Sequence, residues 1–254
     1  MKFASLGSGS EGNALLIAAG RTRVLMDCGF SLQDTLVRLE RLNVTAEELD
    51  GIIVTHEHGD HIRGVARLAR KFGLPVWLTH GTLHSRQQAF SGIRLHEIDS
   101  HQTFAIGDIE ISPFPVPHDA VEPVQFVFDD GARRLGVLTD AGCGTAHIEA
   151  MLSGCHALVL ECNHDSAMLA NGDYPYSLKQ RVGGRLGHLN NRDAAAILGR
   201  LDASRLQHLL AAHLSRKNNT AELAVQALSG ALNCAADWIG VATQQEGFAW
   251  REIS

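Results

Sequence analysis

With 254 residues, 45% hydrophobic and 20% charged, the chain can build a sizeable core and carries too little charge for a disordered polymer. Its 22 Lys and Arg against 28 Asp and Glu give a formal charge of −6, so no global basic field attracts nucleic acid and any such contact must be a local patch. No apolar run reaches membrane-span length, the opening Met1-Lys2-Phe3-Ala4-Ser5-Leu6-Gly7-Ser8 turns polar before a signal-peptide core forms, and five scattered cysteines lack a C-x-x-C pair. A cytoplasmic protein with reduced thiols and no membrane partner is expected.

In chain order, Leu15 to Ile17 and Val24 to Met26 read as strands, parted by a Gly20 turn and stopped at Asp27-Cys28-Gly29. Ser31 can cap a helix through Leu42, where Leu32, Leu36, Leu39 and Leu42 recur at helical spacing. Thr45 and Glu48 form a capping-box pattern for one short turn. Gly51 to Val54 reads as a short buried strand, Ile62 to Phe72 as a helix, Val76 to Leu78 as a strand and Gly81 to Phe90 as a helix.

From Ile93 to Leu138 the pattern is β. Ile109-Glu110-Ile111 alternates, and Gln125 to Phe128 can pair with Leu135 to Leu138 across Asp129-Asp130-Gly131. Strands are then expected at Ala157 to Leu160 and Leu206 to Ala211, with helices at Ala146 to Leu152, Arg192 to Leu201 and Ala221 to Leu232. No low-complexity linker interrupts this α/β series. Two β-rich halves flanked by helices predict two sheets packed face to face and covered outside by helices, in a single domain over residues 1–254.

The loop between the Gly51–Val54 strand and the following helix reads Thr55-His56-Glu57-His58-Gly59-Asp60-His61. Three imidazoles and an aspartate so close together are ligands that suit zinc and its neighbours. Further ligands are sought just after strands, and His118, Asp140 and His213 meet that condition. His80, His84, His96, His101, His147, His156 and His208 read as surface or packing residues.

The ordered series H-x-H-x-D-H, then H, then D, then H resembles the metallo-β-lactamase-fold hydrolases over nearly the whole chain. The resemblance implies an αββα four-layer sandwich with a dinuclear site at one edge. It would put His56, His58 and His118 on the first metal and Asp60, His61 and His213 on the second, with Asp140 bridging. Asp27 would support the ligand loop by hydrogen bonds from behind the ligands. Zn²⁺ or Mn²⁺ suits such a mixed donor set.

Within the fold, Ser8-Gly9-Ser10-Glu11-Gly12-Asn13, Glu161-Cys162-Asn163-His164-Asp165, Gly172-Asp173-Tyr174-Pro175, Leu178-Lys179-Gln180-Arg181, Gly187-His188-Leu189-Asn190-Asn191 and His213-Leu214-Ser215-Arg216-Lys217-Asn218-Asn219 follow in order. Together they resemble the YycJ/WalJ-like branch, whose members act as metal-dependent 5′-to-3′ exonucleases on DNA, with a place in DNA repair. Asn190 departs from the Ser common after Gly-His-Leu in that branch. Only 72 residues part Asp140 from His213, too few for the extra domain of longer nuclease relatives.

On this resemblance the expected activity is phosphodiester hydrolysis. Asp60 would ligate a metal and hold the attacking hydroxide, while His188 or His164 would serve the phosphoryl or leaving oxygen. Asn13, Lys179, Arg181, Arg216 and Asn218 are the candidate DNA contacts, within a basic group that includes Arg185, Arg192 and Lys217. Two alternatives stay open: a small-molecule hydrolase acting on a cyclic phosphodiester or a thioester, and a non-catalytic nucleic-acid-binding module.

Overall fold

The computed structural model describes all 254 residues. Fourteen strands form two seven-stranded sheets. The first sheet holds β1 (Lys2–Gly7), β2 (Ala14–Ala19), β3 (Thr22–Met26), β4 (Gly51–Ile53), β5 (Val76–Thr79), β6 (Leu95–Ile98) and, from the far end of the chain, β14 (Phe248–Glu252). Its order is β14-β1-β2-β3-β4-β5-β6, antiparallel up to β3 and parallel from β3 to β6. The second sheet holds β7 (Phe104–Ile106), β8 (Ile109–Pro115), β9 (Val124–Asp129), β10 (Arg134–Leu138), β11 (Ala157–Glu161), β12 (His208–Ala212) and β13 (Ile239–Val241). It runs β13-β12-β11-β10-β9-β8-β7, antiparallel from β7 to β10 and parallel from β10 to β13.

Strand periodicity explains the layering. Successive side chains face opposite ways, so a strand apolar at every position must be covered on both faces. Leu15, Ile17, Val24 and Met26 of the first sheet meet Phe126, Phe128, Val137, Val159 and Leu210 of the second in one buried cluster. The intervening Leu16 and Leu25 turn outward to Leu39 of helix α1 (Leu32–Arg41) and, past the ligand-loop helix α2 (Gly59–Ile62), to Val65 and Leu68 of α3 (Val65–Phe72). Beyond α4 (His80–Arg86), Leu158, Leu160 and Leu209 turn outward to Ile148 and Leu152 of α5 (Ala146–Leu152). The same cluster takes in Ala194 and Ile197 of α8 (Asn191–Leu198) and Leu228 of α9 (Ala221–Leu232). Between α5 and α8 lie two short helices, α6 (Ser166–Asn171) and α7 (Tyr176–Val182). The result is the αββα sandwich.

Several boundaries differ from the sequence expectation. The polar-looking opening is a buried strand, β1, held between β2 and β14; its small residues Ala4 and Ser5 give no alternation signal. The helix expected over Ile62–Phe72 is split, because Gly64 closes on the loop after β3: its N–H donates to Cys28 O, and a Cβ there would lie 2.1 Å from Phe30 O. The Gly81–Phe90 helix starts one residue earlier, capped by Thr79, and tightens to a 3₁₀ turn at Gln87. The expected Arg192–Leu201 helix is Asn191–Leu198, and the strand expected from Leu206 starts at His208. Ser31 caps α1 as expected, and Thr45 with Glu48 closes the capping box.

Candidate metal centre and cleft

The parallel strands of both sheets deliver the chemistry-bearing residues at their C-terminal ends. Asp27 follows β3, the histidine loop follows β4, Asp140 follows β10, Glu161 ends β11 and His213 follows β12. Asp27, Asp140 and His213 each take positive φ, at 61°, 53° and 54°. Left-handed backbone is disfavoured for non-glycine residues, and here it turns each chain sharply off its strand at the site.

Backbone contacts fix the ligand loop. Asn13 N–H donates to Asp60 O at 2.8 Å, Cys28 N–H to His61 O at 2.8 Å, and Gly29 N–H to Asn13 O at 3.0 Å. Gly29 is required by space, since a Cβ there would lie 1.8 Å from Asp60 O. Asp27 holds the loop from below. Its carboxylate accepts from Thr55 N–H and Thr55 Oγ1, both at 2.9 Å, and lies 2.8 Å from His61 Nδ1. An imidazole tied at Nδ1 presents Nε2, the arrangement that orients a metal ligand.

The expected ligands converge. His56, His58 and His118 form one group, Asp60, His61 and His213 another, and His56, His61 and Asp140 a third that joins them; within each group the donor atoms lie within 4.8 Å of one another. Asp140 stands between, with Oδ2 3.1 Å from His61 Nε2 and Oδ1 4.0 Å from His118 Nε2. Asp60 Oδ2 is 3.5 Å from both His61 Nε2 and His213 Nε2.

These residues fit divalent cations on their own chemistry. His56 Nε2, His213 Nε2 and Asp140 Oδ2 are buried without a hydrogen-bond partner. A protein interior rarely leaves such atoms unsatisfied, and all three belong to the ligand groups just described. Burial, aided by the neighbouring His61, keeps His56 well below its ordinary pKa, so its lone pair is free. Burial also opposes protonation of His213, but Asp140, Asp60 and Glu161 outweigh it and push this imidazole up to about 10. The carboxylates thus place enough negative charge around His213 to hold a proton there, a positive charge that a bound cation would supply instead.

Glu161, which sequence reasoning quotes only within a motif, ties the second half of the site together. Its Oε1 lies 2.8 Å from His188 Nδ1 and 3.0 Å from His213 Nδ1. Its Oε2 accepts from Ala141 N–H at 3.0 Å and Leu189 N–H at 3.2 Å. Burial opposes ionisation of Glu161, but His188 and His213 hold its carboxyl well below the usual range. In turn burial opposes protonation of His188, and Glu161 raises its pKa nonetheless. The available signal was positional: Glu161 ends a buried strand, as Asp27 and Asp140 follow theirs.

The triads open into a cleft of about 340 Å³ lined by Ser10, His58, Asp60, Asp119, Asp140, Tyr174, Leu178, Arg181, His188 and His213. Of the two candidate acids, His188 lies in the cleft, whereas His164 lines a separate pocket behind α7. Among the candidate DNA contacts, Arg181 lines the cleft and pairs with Asp119 at 2.6 Å. Arg216 is exposed and pairs with Glu11 at the rim. Asn13 is buried, its amide engaged with Gly9 and Asp60, so it sits behind the ligand loop rather than in the cleft. Asn218 is buried against Ser215, and Lys179 donates to Ala170 O on the far face of α7. Asn190 caps α8 by accepting from Asp193 N–H, the same work a Ser would do there.

A family model described as Beta-lactamase superfamily domain matches residues 22–209. This chain belongs to that superfamily. It is 36% identical to Exodeoxyribonuclease YycJ of Bacillus anthracis over 237 residues, covering 91% of this chain and 89% of the relative. It is 34% identical to Exodeoxyribonuclease WalJ of Streptococcus pneumoniae, covering 88% and 85%. Among solved structures, the metallo-beta-lactamase fold protein YhfI from Bacillus subtilis superposes with a TM-score of 0.78 at 20% identity, covering 98% of each chain. The αββα metallo-β-lactamase fold is therefore this chain's fold, and its clustered histidines and aspartates are of the kind that bind divalent metal in that superfamily.

Proposed function

We propose that this chain is a metal-dependent phosphodiester hydrolase that degrades DNA as a 5′-to-3′ exonuclease. One observation carries the proposal: two ligand triads meet at Asp140 in a chain that matches exodeoxyribonuclease relatives over about nine tenths of its length. His56, His58 and His118 would hold one Zn²⁺ or Mn²⁺ ion, Asp60, His61 and His213 a second, with Asp140 between them. Bound there, such ions supply Lewis acidity toward phosphoryl oxygens and bring the pKa of bound water near neutrality.

The protein's own groups do the rest. Asp60 is the partly exposed carboxylate among the ligands, with 22% of its side chain accessible, so it can accept a hydrogen bond from the attacking water. His188 is tied to Glu161 through Nδ1, which leaves Nε2 to donate to a phosphoryl or leaving oxygen. Burial opposes the charged ring, but Glu161 raises its pKa and so favours the protonated, donating form. Arg181, on the cleft wall, can exchange Asp119 for a backbone phosphate. Residues 1–254 would act as one hydrolase domain, since each sheet buries its inner face only against the other. A cytoplasmic place in DNA repair belongs to the same proposal.

The test uses protein stripped of metal and reloaded with Zn²⁺ or Mn²⁺, given 5′-phosphorylated duplex DNA. Nucleotides should be released from the 5′ end, and Asp60→Ala should abolish release while keeping a native circular dichroism spectrum. Cleavage of a small ester with no DNA degradation under any divalent ion would overturn the proposal.

A further inference from the structure

Helix α7 is a wall between two cavities. Leu178, Arg181 and Val182 line the metal-site cleft, while Tyr176, Lys179, Gln180 and Gly183 line a second pocket of about 460 Å³. The two sets fall on opposite faces at the three-and-four spacing of a helix. None of the seven α7 residues is buried, which is unusual for a helix held in a fold and natural for a partition open on both sides.

The second pocket mixes polar and apolar lining, with Leu169 and Ala170 beside its polar and aromatic groups. Its floor is His164, 2% exposed, joined to Asn190 by an isolated parallel bridge between the two chain segments. The His164 imidazole makes one long hydrogen bond, 3.4 Å from Nδ1 to Asn163 Oδ1, and its Nε2 edge lies beneath Gly183 at the pocket. Ser166 and Gln180 bring further polar groups, and Lys179 brings a cation. At the mouth stands Tyr176, 77% exposed, the most exposed large hydrophobic side chain of the chain.

We infer that this pocket is a nucleobase site, in which one base of the substrate strand stacks on Tyr176 and presents its polar edge to Gln180, Ser166 and His164. The inference rests on the nuclease proposal for its ligand class and on the cavity for its location. Base–aromatic stacking tolerates any base, which suits an enzyme that must process arbitrary sequence. A helix with its side chains is roughly 10 Å across, so the occupant must be a nucleotide neighbouring the one whose phosphate meets the metal site. Lys179, whose ammonium donates to Ala170 O in the pocket wall, can then turn to a phosphate that reaches the pocket side of α7. This also gives His164 and Lys179 a use that the metal-site cleft does not.

The experiment is equilibrium binding of a 5′-phosphorylated deoxyoligonucleotide carrying 2-aminopurine at successive positions and cleavage-resistant phosphorothioate linkages to the metal-loaded full chain, with the oligonucleotide checked to stay intact. One position near the 5′ end should be quenched on binding. Tyr176→Ala should abolish that quench and raise Kd about tenfold or more, the worth of one stacked base, whereas Tyr176→Phe should stay within about twofold of the parent. Equal binding and quenching by Tyr176→Ala would overturn the base site, as would Tyr176→Phe behaving like Tyr176→Ala. The outcomes separate the two claims. Quenching that depends on residue 176 without DNA degradation by the metal-loaded protein sinks the nuclease proposal alone. Degradation with indifference to residue 176 sinks the base site alone.

Discussion

Glu161 Oε1 stands 2.8 Å from His188 Nδ1, and the same carboxylate receives three further N–H donors, from His213, Ala141 and Leu189. Four converging donors require two oxygens that both accept. Glu161→Gln would place an amide NH₂ against two of them. The variant should lose about 100-fold or more in kcat, because His188 is no longer held or kept protonated. It should also lose about 1–3 kcal/mol of stability from mismatched buried donors. The second sign concerns pH. Glu161 raises the His188 pKa, so in Glu161→Gln the alkaline limb of the kcat profile should move to lower pH. A limb that stays in place removes His188 as the proton donor.

Asp27 acts on the site without facing the cleft. It accepts from Thr55 twice and orients His61 through Nδ1. Asp27→Ala should weaken metal affinity about 10- to 100-fold, the usual effect of losing a carboxylate behind a histidine ligand. Competition with a chromogenic chelator reads this directly, without activity. Unchanged affinity would mean that backbone contacts alone hold the loop.

Gly29 offers a steric test of the same loop. Its missing side chain lets Asp60 O approach, and a Cβ would have to push that carbonyl back from 1.8 Å. Gly29→Ala should therefore displace Asp60 and lower kcat/KM by about 100-fold, since small misplacements of catalytic groups are expensive. Spectra that report the sandwich should remain native. Wild-type turnover in Gly29→Ala would show that the loop has slack the geometry denies.

How much of this was legible in the sequence follows from range. The H-x-H-x-D-H loop is local, and four strong donors in one turn have no cheap structural explanation, so the site announces itself. Asp140 and His213 are readable because each follows an apolar strand. Glu161 ends one too, but its partners lie 27 and 52 residues away, and nothing local distinguishes it from an ordinary strand terminus. Strand β1 escapes for the same reason, since β14 pairs with it from the opposite end of the chain. Which face of α7 Lys179 and Arg181 take is set by packing, so a basic run alone could not separate the cleft contact from the one behind it.

His156 gives a stability prediction remote from the metal site. It is buried just before β11, an interior strand of the second sheet, and its Nδ1 accepts a hydrogen bond from Arg134 N–H at 3.1 Å. Burial first, then the neighbouring arginines, lowers its pKa, and the accepted bond requires a neutral ring. The unfolded chain binds the proton more readily than the fold does. Stability is thus fully present above the ordinary histidine pKa near 6.5 and declines as pH falls below it. Urea midpoints at pH 7.5 and 5.5 should differ less in His156→Gln than in the parent. Equal differences would assign the acid sensitivity to other histidines.

Arg181 connects the cleft to the polymer. Its guanidinium is exposed and paired with Asp119, whose Oδ1 lies 3.5 Å from His118 Nε2, so the pair spans the cleft from α7 to the first triad. An exposed pair of this kind contributes little to stability, and a phosphate can replace the carboxylate at small expense. Arg181→Ala should keep the melting temperature within a degree or two, raise KM for DNA several-fold and reduce the salt slope of binding by about one. Arg216→Ala, which removes a rim cation paired with Glu11, should show a smaller change in the same direction. The measurement is log Kd against log salt for each variant. Parallel lines for Arg181→Ala and the parent would mean that Arg181 never leaves Asp119, and that the phosphate backbone follows another path across α7.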